Sequence, residues 1–178
     1  MAAGANIVVA FHAADSGYAK YAADWGERTK FGTFSESPFA ETLSLHVERP
    51  VFDTIAAMIG HGVFDRHPKL RVATVELGSG WVPELTRRLG LAYGKMPRAF
   101  GKDPVETFRE HVWVAPFQED SVVPLIDALG LEHVMLGSDW PHPEGLAIPS
   151  TFLEDIAELS PYQQRRIMSD NLRELITT

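Results

Sequence analysis

The chain has 178 residues, is 45% hydrophobic, and carries a formal net charge of −8 from 24 acids against 16 bases. That length suits one sizeable core, and the acidic balance disfavours a nucleic-acid partner, which needs clustered Lys and Arg; the longest basic runs are the pairs Arg87-Arg88 and Arg165-Arg166, read as solvated helix faces. There is no cysteine, which excludes disulfides, thiolate metal sites and cysteine nucleophiles. An apolar run of the ~20 residues needed to span a bilayer is missing, as is the charged opening of a signal peptide. A cytoplasmic domain without a membrane partner is expected.

The first apolar run, "NIVVAF" at 6–11, is short and rich in β-branched residues, as suits a strand covered on both faces. It is followed by 13–49, a long interval of weak periodicity, read as a lid-like loop that could carry small helices of its own. Pro50 then precedes Val51, Ile55, Met58 and Ile59, a helical stripe that stops near Gly60 and Gly62. A second strand is expected in "LRVATVEL" (70–77). Pro83 suits the first turn of a helix presenting Val82, Leu85 and Leu89 on one face.

"HVWVAPF" (111–117) reads as a third strand, and Asp120 or Ser121 as the cap of a helix carrying Val122, Leu125, Ile126 and Leu129, closed by Gly130. "EHVMLGS" (132–138) reads as a fourth strand, with two more helices near 151–159 and 161–168. Strand and helix alternating four times predict an α/β protein, a single domain over 1–178, with about four parallel strands.

In parallel α/β folds, ligands bind at the carboxyl ends of the strands. Those ends here supply His12, Glu76, Phe117 with Gln118, and Asp139. Imidazole and carboxylate together suit a divalent metal. Each residue also has a plainer reading: His12 as a hydrogen-bonded strand-end histidine, Glu76 as half of a salt bridge, Asp139 as a turn cap before Pro141, and His142 as a loop residue stiffened by Pro141 and Pro143. His61, His67, His111 and His133 fall at helix ends or strand starts and are read as structural.

Two other motifs fail. "ELGSGWVP" places Pro83 where a dinucleotide loop needs its third glycine, and Ser79 lacks the spacers of a nucleophile elbow. The Gly78-Ser79-Gly80 turn instead suits a close backbone approach, or a clean helix start.

"VMLGSDWPHPEG", "DRHPKLRVATVELGSGWVPELTRRL", "IMSDNLRELI" and "NIVVAFHA" together resemble the second amidohydrolase family, which includes aminocarboxymuconate-semialdehyde decarboxylase and γ-resorcylate decarboxylase. The resemblance covers strands five to eight of that family's (β/α)8 TIM barrel, its C-terminal half. It implies a metal-dependent hydrolase or decarboxylase acting on a small carboxylated or cyclic molecule, with a divalent ion, zinc by expectation. His12 and Asp139 would be metal ligands, and Asp139 would also move protons. Glu76 would orient water, standing where several members have histidine. Trp140, His46 and His142 would contact substrate, and Asn171 falls at the family's usual asparagine. The first-strand His-x-His or Glu-x-His pair of the family is not in this sequence. The alternative is therefore a non-catalytic half-barrel whose role is self-association, and on either reading its open sheet edges predict a homo-oligomer.

Overall fold

The computed structural model describes residues 3–13, 16–28, 37–143 and 145–177. In chain order the elements are β1 (Val8–His12), α1 (Ala19–Asp24), α2 (Pro38–Thr42), α3 (Glu48–Gly60), α4 (Val63–Arg66), β2 (Arg71–Val75), α5 (Trp81–Lys95), α6 (Pro104–His111), β3 (Val112–Val114), α7 (Val122–Leu129), α8 (Phe152–Asp155), α9 (Pro161–Arg165) and α10 (Asn171–Thr177). The described parts of 13–49 thus contain two short helices, α1 and α2, and a small cluster formed by Ala22, Ala40 and Leu45.

The strands form a parallel sheet in the order β1-β2-β3, with Val8 opposite Arg71, His12 opposite Val75, and Thr74 opposite Val114. Strictly parallel pairing requires crossovers, and the helices between the strands make them. The apolar stripes of α3 (Val51, Ile55, Ile59), α5 (Val82, Leu85, Leu89) and α7 (Val122, Leu125, Leu129) are buried, and they join Val72, Val112 and Val114 of the sheet in one core. α5 lies centrally and packs against α3, α6 and α7. Gly130, at φ +100°, ends α7 in a conformation that favours glycine.

Two expectations change. Helix α6 has no counterpart in the sequence reading, although its start is well marked: Pro104 opens it and the Asp103 side chain accepts from the Val105 N–H at 2.8 Å. The expected fourth strand is reduced, among the described residues, to one parallel bridge between Val114 and Val134, with Leu131–His133 a 3-10 turn. Its backbone groups have other partners. Asn171 Nδ2 donates to the carbonyls of Leu131 and Val134 at 2.7 and 2.6 Å, and the Leu136 N–H donates to the Ile167 carbonyl at 3.0 Å. The C-terminal helices thus take hydrogen bonds that would otherwise extend a ladder.

His111 is buried, stacked on Phe64 with ring centroids 4.6 Å apart, and its Nδ1 bonds the Leu70 carbonyl at 2.7 Å. His133 bonds the Val112 carbonyl through Nδ1 at 3.0 Å, and burial lowers its pKa. Both serve the packing at the sheet's amino-terminal side. Among the described residues no helix is long and apolar enough to cross a membrane.

Candidate active site at the carboxyl ends of the strands

β1 ends at His12, and Glu76 follows β2 directly. Parallel pairing of the two strands brings the side chains together: His12 Nε2 lies 2.6 Å from Glu76 Oε2. His12 Nδ1 is 2.8 Å from the Ala13 carbonyl. A carbonyl can only accept, so Nδ1 carries the proton of that hydrogen bond, and in the neutral ring Nε2 presents a lone pair to Glu76. Glu76 Oε2 is buried, and with His12 neutral it has no hydrogen-bond donor among the described residues. The close approach is thus between two electron pairs, and a proton or a cation between them makes it favourable.

Glu76, Asp139 and His142 each place a donor atom within 4.8 Å of the other two. His142 Nδ1 is 3.7 Å from Asp139 Oδ2, the two residues being three apart on one turn. The backbone of this turn is constrained: the His142 N–H donates to the Asp139 carbonyl at 2.8 Å, and the Leu146 N–H donates to the Ser138 carbonyl at 2.8 Å. Gly145 sits so near that a Cβ there would lie 2.6 Å from the Asp139 carbonyl oxygen. Glu76 and Asp139 both have positive φ, +57° and +51°. Non-glycine residues rarely adopt this region, and aspartate tolerates it better than glutamate. Such conformations persist where the surroundings over-determine them, as they do at functional sites.

The acids face a cavity of about 300 Å3. Ala13, Val47, Val75, Pro116 and Phe117 make its apolar wall, while Glu76, Gln118, Glu119, Ser138 and Asp139 are its polar residues. An apolar concavity with a few convergent polar groups is the usual form of a small-molecule site.

Of the residues singled out in the sequence, Glu76, Asp139 and His142 come together. His12 joins them only through Glu76; it is outside the three-residue cluster, and its side chain is 58% exposed. His46 lines a separate cavity of about 200 Å3 with Phe11, His12 and Ser16. Trp140 is 63% exposed, next to Asp139, and does not line the larger cavity.

Two further acids carry part of the architecture: Asp120, expected only as a helix cap, and Glu48, not singled out in the sequence. Asp120 does not cap α7, whose N-cap is Ser121; its Oδ2 instead accepts from Ser79 N at 2.7 Å, Ser79 Oγ at 2.9 Å and Phe117 N at 3.2 Å. Glu48, at the start of α3, approaches the Gly78-Ser79-Gly80 turn from the other side. A Cβ at Gly78 or Gly80 would lie 2.9 or 2.8 Å from its Oε1. The close approach that the glycines suggest is thus made by a side chain of the protein itself. The available signal was an acid opening a helix stripe; nothing local indicates which turn it meets.

Burial, and next the charge of Asp120, raise the Glu48 pKa above the ordinary glutamate value, against the N–H groups of Gly80 and Trp81, which lower it. The folded chain therefore retains this proton at a pH where the unfolded chain has released it, so stability falls as pH rises through that window. Glu48→Gln is expected to remove this decline. Urea midpoints for the two proteins from about pH 4 to about pH 8 check it, since subtraction cancels the opposite trend from Glu84, held at about 2 by Arg87 and Arg88. A difference between the two proteins that does not change with pH would contradict the assignment.

A family model described as Amidohydrolase matches residues 1–176. A crystal structure of an amidohydrolase from Mycobacterium avium subsp. paratuberculosis K-10 superposes with a TM-score of 0.88 and 42% identity, over 98% of this chain and 44% of that one. The 2-amino-3-carboxymuconate-6-semialdehyde decarboxylase of Dictyostelium discoideum is 29% identical over 128 residues, 68% of this chain and 35% of that protein. A dihydroxybenzoic acid decarboxylase from Polaromonas sp. JS666, solved with bound manganese and the inhibitor 2-nitroresorcinol, shares the fold at a TM-score of 0.65 and 16% identity, over 98% of this chain and 51% of that one. The chain spans about a third to a half of the length of these relatives.

Proposed function

From the premise that this chain belongs to the amidohydrolase family, we propose that it carries the carboxyl-terminal part of a metal-dependent hydrolase or decarboxylase site for a small carboxylated or cyclic molecule. The observation that carries the reading is the convergence of Glu76, Asp139 and His142 within 4.8 Å, with the two acids lining an apolar cavity. The donor set fits a divalent ion. Two carboxylates and an imidazole are hard and borderline ligands suited to Zn2+ or Mn2+, and the buried Glu76 Oε2 without a donor is an atom that a cation would satisfy. The manganese of the Polaromonas decarboxylase makes Mn2+ a natural first ion to test.

Glu76, Asp139 and His142 would hold the ion, with His12 behind Glu76. When bound, a divalent ion supplies Lewis-acid polarisation of a substrate carbonyl or carboxylate. Asp139 would take a proton from water in hydrolysis or return one to carbon in decarboxylation. Glu76 would also orient the water. Phe117, Val47 and Pro116 would cover a flat ring and exclude solvent from it. Trp140, exposed beside Asp139, and His46, in the cavity on the other side of His12, would make the outer substrate contacts.

The test is calorimetric titration of metal-stripped protein with Zn2+ and Mn2+, followed by assay of the loaded protein on carboxylated phenols for CO2 release and on cyclic esters and amides for ring opening. One ion per chain with micromolar or tighter affinity is the expected result. No binding of either ion at roughly millimolar concentration would sink the proposal.

A second reading concerns assembly. Among the described residues β1 pairs only with β2, so its other edge is open, and Ala10 on it is exposed. We propose that two copies of the chain associate there, burying upwards of roughly 2,000 Å2. Sedimentation equilibrium showing a monomer at micromolar concentration would refute it.

A further inference from the structure

Glu76 occupies the left-handed region at φ +57° and is followed two residues later by Gly78 at φ +63°. For a residue with a side chain this region is strained, so neighbouring contacts must hold the backbone there. Besides Trp81 Nε1, which donates to the Gly78 carbonyl at 3.1 Å, two carboxylates that do not line the cavity contact the turn. On one side, a single oxygen of Asp120 gathers the Ser79 N–H, the Ser79 hydroxyl and the Phe117 N–H. That oxygen therefore ties the turn after β2 to the chain leaving β3, and Glu76 and Phe117 on those two segments face the same cavity. On the other side, Glu48 fills the space above Gly78 and Gly80 and accepts from the N–H groups of Gly80 and Trp81. The turn is held between them, with successive N–H groups directed at anionic acceptors, which form stronger hydrogen bonds than neutral ones.

We propose that Asp120 is a positioning residue for Glu76: by fixing Ser79 and Phe117 to one carboxylate oxygen, it holds Glu76 in its left-handed conformation and so aims the Glu76 carboxylate at Asp139 and His142. The proposal rests on the metal-site reading for its consequence but not for its geometry. Glu48 acts as the second jaw, and the absence of a Cβ at Gly78 and Gly80 is what admits it.

Two readouts separate positioning from general support of the fold. The first is Glu76 itself: its Cα and Cβ chemical shifts and its amide-to-α-proton coupling report the sign of φ, which a uniform loss of stability leaves unchanged. The second is Mn2+ affinity by calorimetry. Asp120→Ala is expected to move the Glu76 signals out of the left-handed range and to weaken Mn2+ binding by about 10-fold or more, the usual result of removing a group that orients a ligand. Asp120→Asn, whose amide oxygen still accepts from Ser79, is expected to restore the Glu76 signals and most of the affinity. If Asp120→Ala does not fold, Ser79→Ala removes one of the three donors and is expected to shift the same signals and weaken binding by about 3-fold. Unchanged Glu76 signals in Asp120→Ala, or in Ser79→Ala where that variant is used, would overturn the proposal. Were the native protein not to bind Mn2+ at all, the metal-site reading would fail while the Glu76 signals still decided the role of Asp120.

Discussion

Asp139→Asn is expected to weaken Zn2+ or Mn2+ binding by at least about 100-fold and to abolish turnover that depends on the ion. Asparagine retains one oxygen that can point at a metal but has neither the negative charge nor a transferable proton. The backbone gives no second reason for a loss. Asp139 sits at φ +51°, a conformation that asparagine adopts as readily as aspartate. The hydrogen bonds shaping its turn, from His142 N to Asp139 O and from Leu146 N to Ser138 O, are between main-chain atoms and survive the substitution. The variant should therefore fold normally and differ in chemistry. Thermal unfolding with and without Mn2+ gives a direct check, because an ion that binds only the folded chain raises its midpoint. The native protein should show that rise and Asp139→Asn should not. Retention of the rise would place the ion elsewhere. His142→Ala removes one of several donors without altering the site's charge and should have the smaller effect.

Asn171→Leu is expected to destabilise the fold by about 1–3 kcal/mol, a sizeable part of the roughly 5–15 kcal/mol available to a domain. Asn171 is 1% exposed, and its Nδ2 donates to the Leu131 and Val134 carbonyls. Leucine matches the volume approximately but deprives the buried Val134 carbonyl of its Asn171 donor and leaves the Leu131 carbonyl with its bond from the Val134 N–H at 3.3 Å. Asn171→Asp separates hydrogen bonding from packing: it is nearly isosteric, yet an ionised carboxylate meets those carbonyls as a third acceptor, so it should be at least as damaging. Urea denaturation measures both. The same carbonyls bracket the segment that leads into Asp139, so Asn171→Leu should also weaken Mn2+ binding under conditions where the protein remains folded. A loss of stability below about 1 kcal/mol would show that the segment is held mainly by the Leu136–Ile167 backbone bond and the burial of Val134 and Met135.

By itself the sequence determined the α/β class, the positions of β1, β2 and β3 to within a few residues, and the helices whose stripes are Val51-Ile55-Ile59, Val82-Leu85-Leu89 and Val122-Leu125-Leu129. Periodicity and end signals are local properties, and burial follows them directly. The same local logic placed His12, Glu76 and Asp139 at the carboxyl ends of the chain's strand-like runs, because an acid or imidazole that ends an apolar run is visible without its neighbours.

Only the tertiary structure decided which of those groups meet. His12 lies against Glu76 because β1 and β2 are paired in one register, while His142 reaches the cluster because the turn after Asp139 folds back on itself. The fourth strand gave way to a single bridge because groups distant in sequence take its backbone partners: Asn171 Nδ2 the Val134 carbonyl, and the Ile167 carbonyl the Leu136 N–H. Glu48 and Asp120 met the Gly78-Ser79-Gly80 turn from two different elements. A hydrophobic pattern states that a residue is inside or outside; it does not state the partner of a polar group, since that depends on distances closed only when the elements pack.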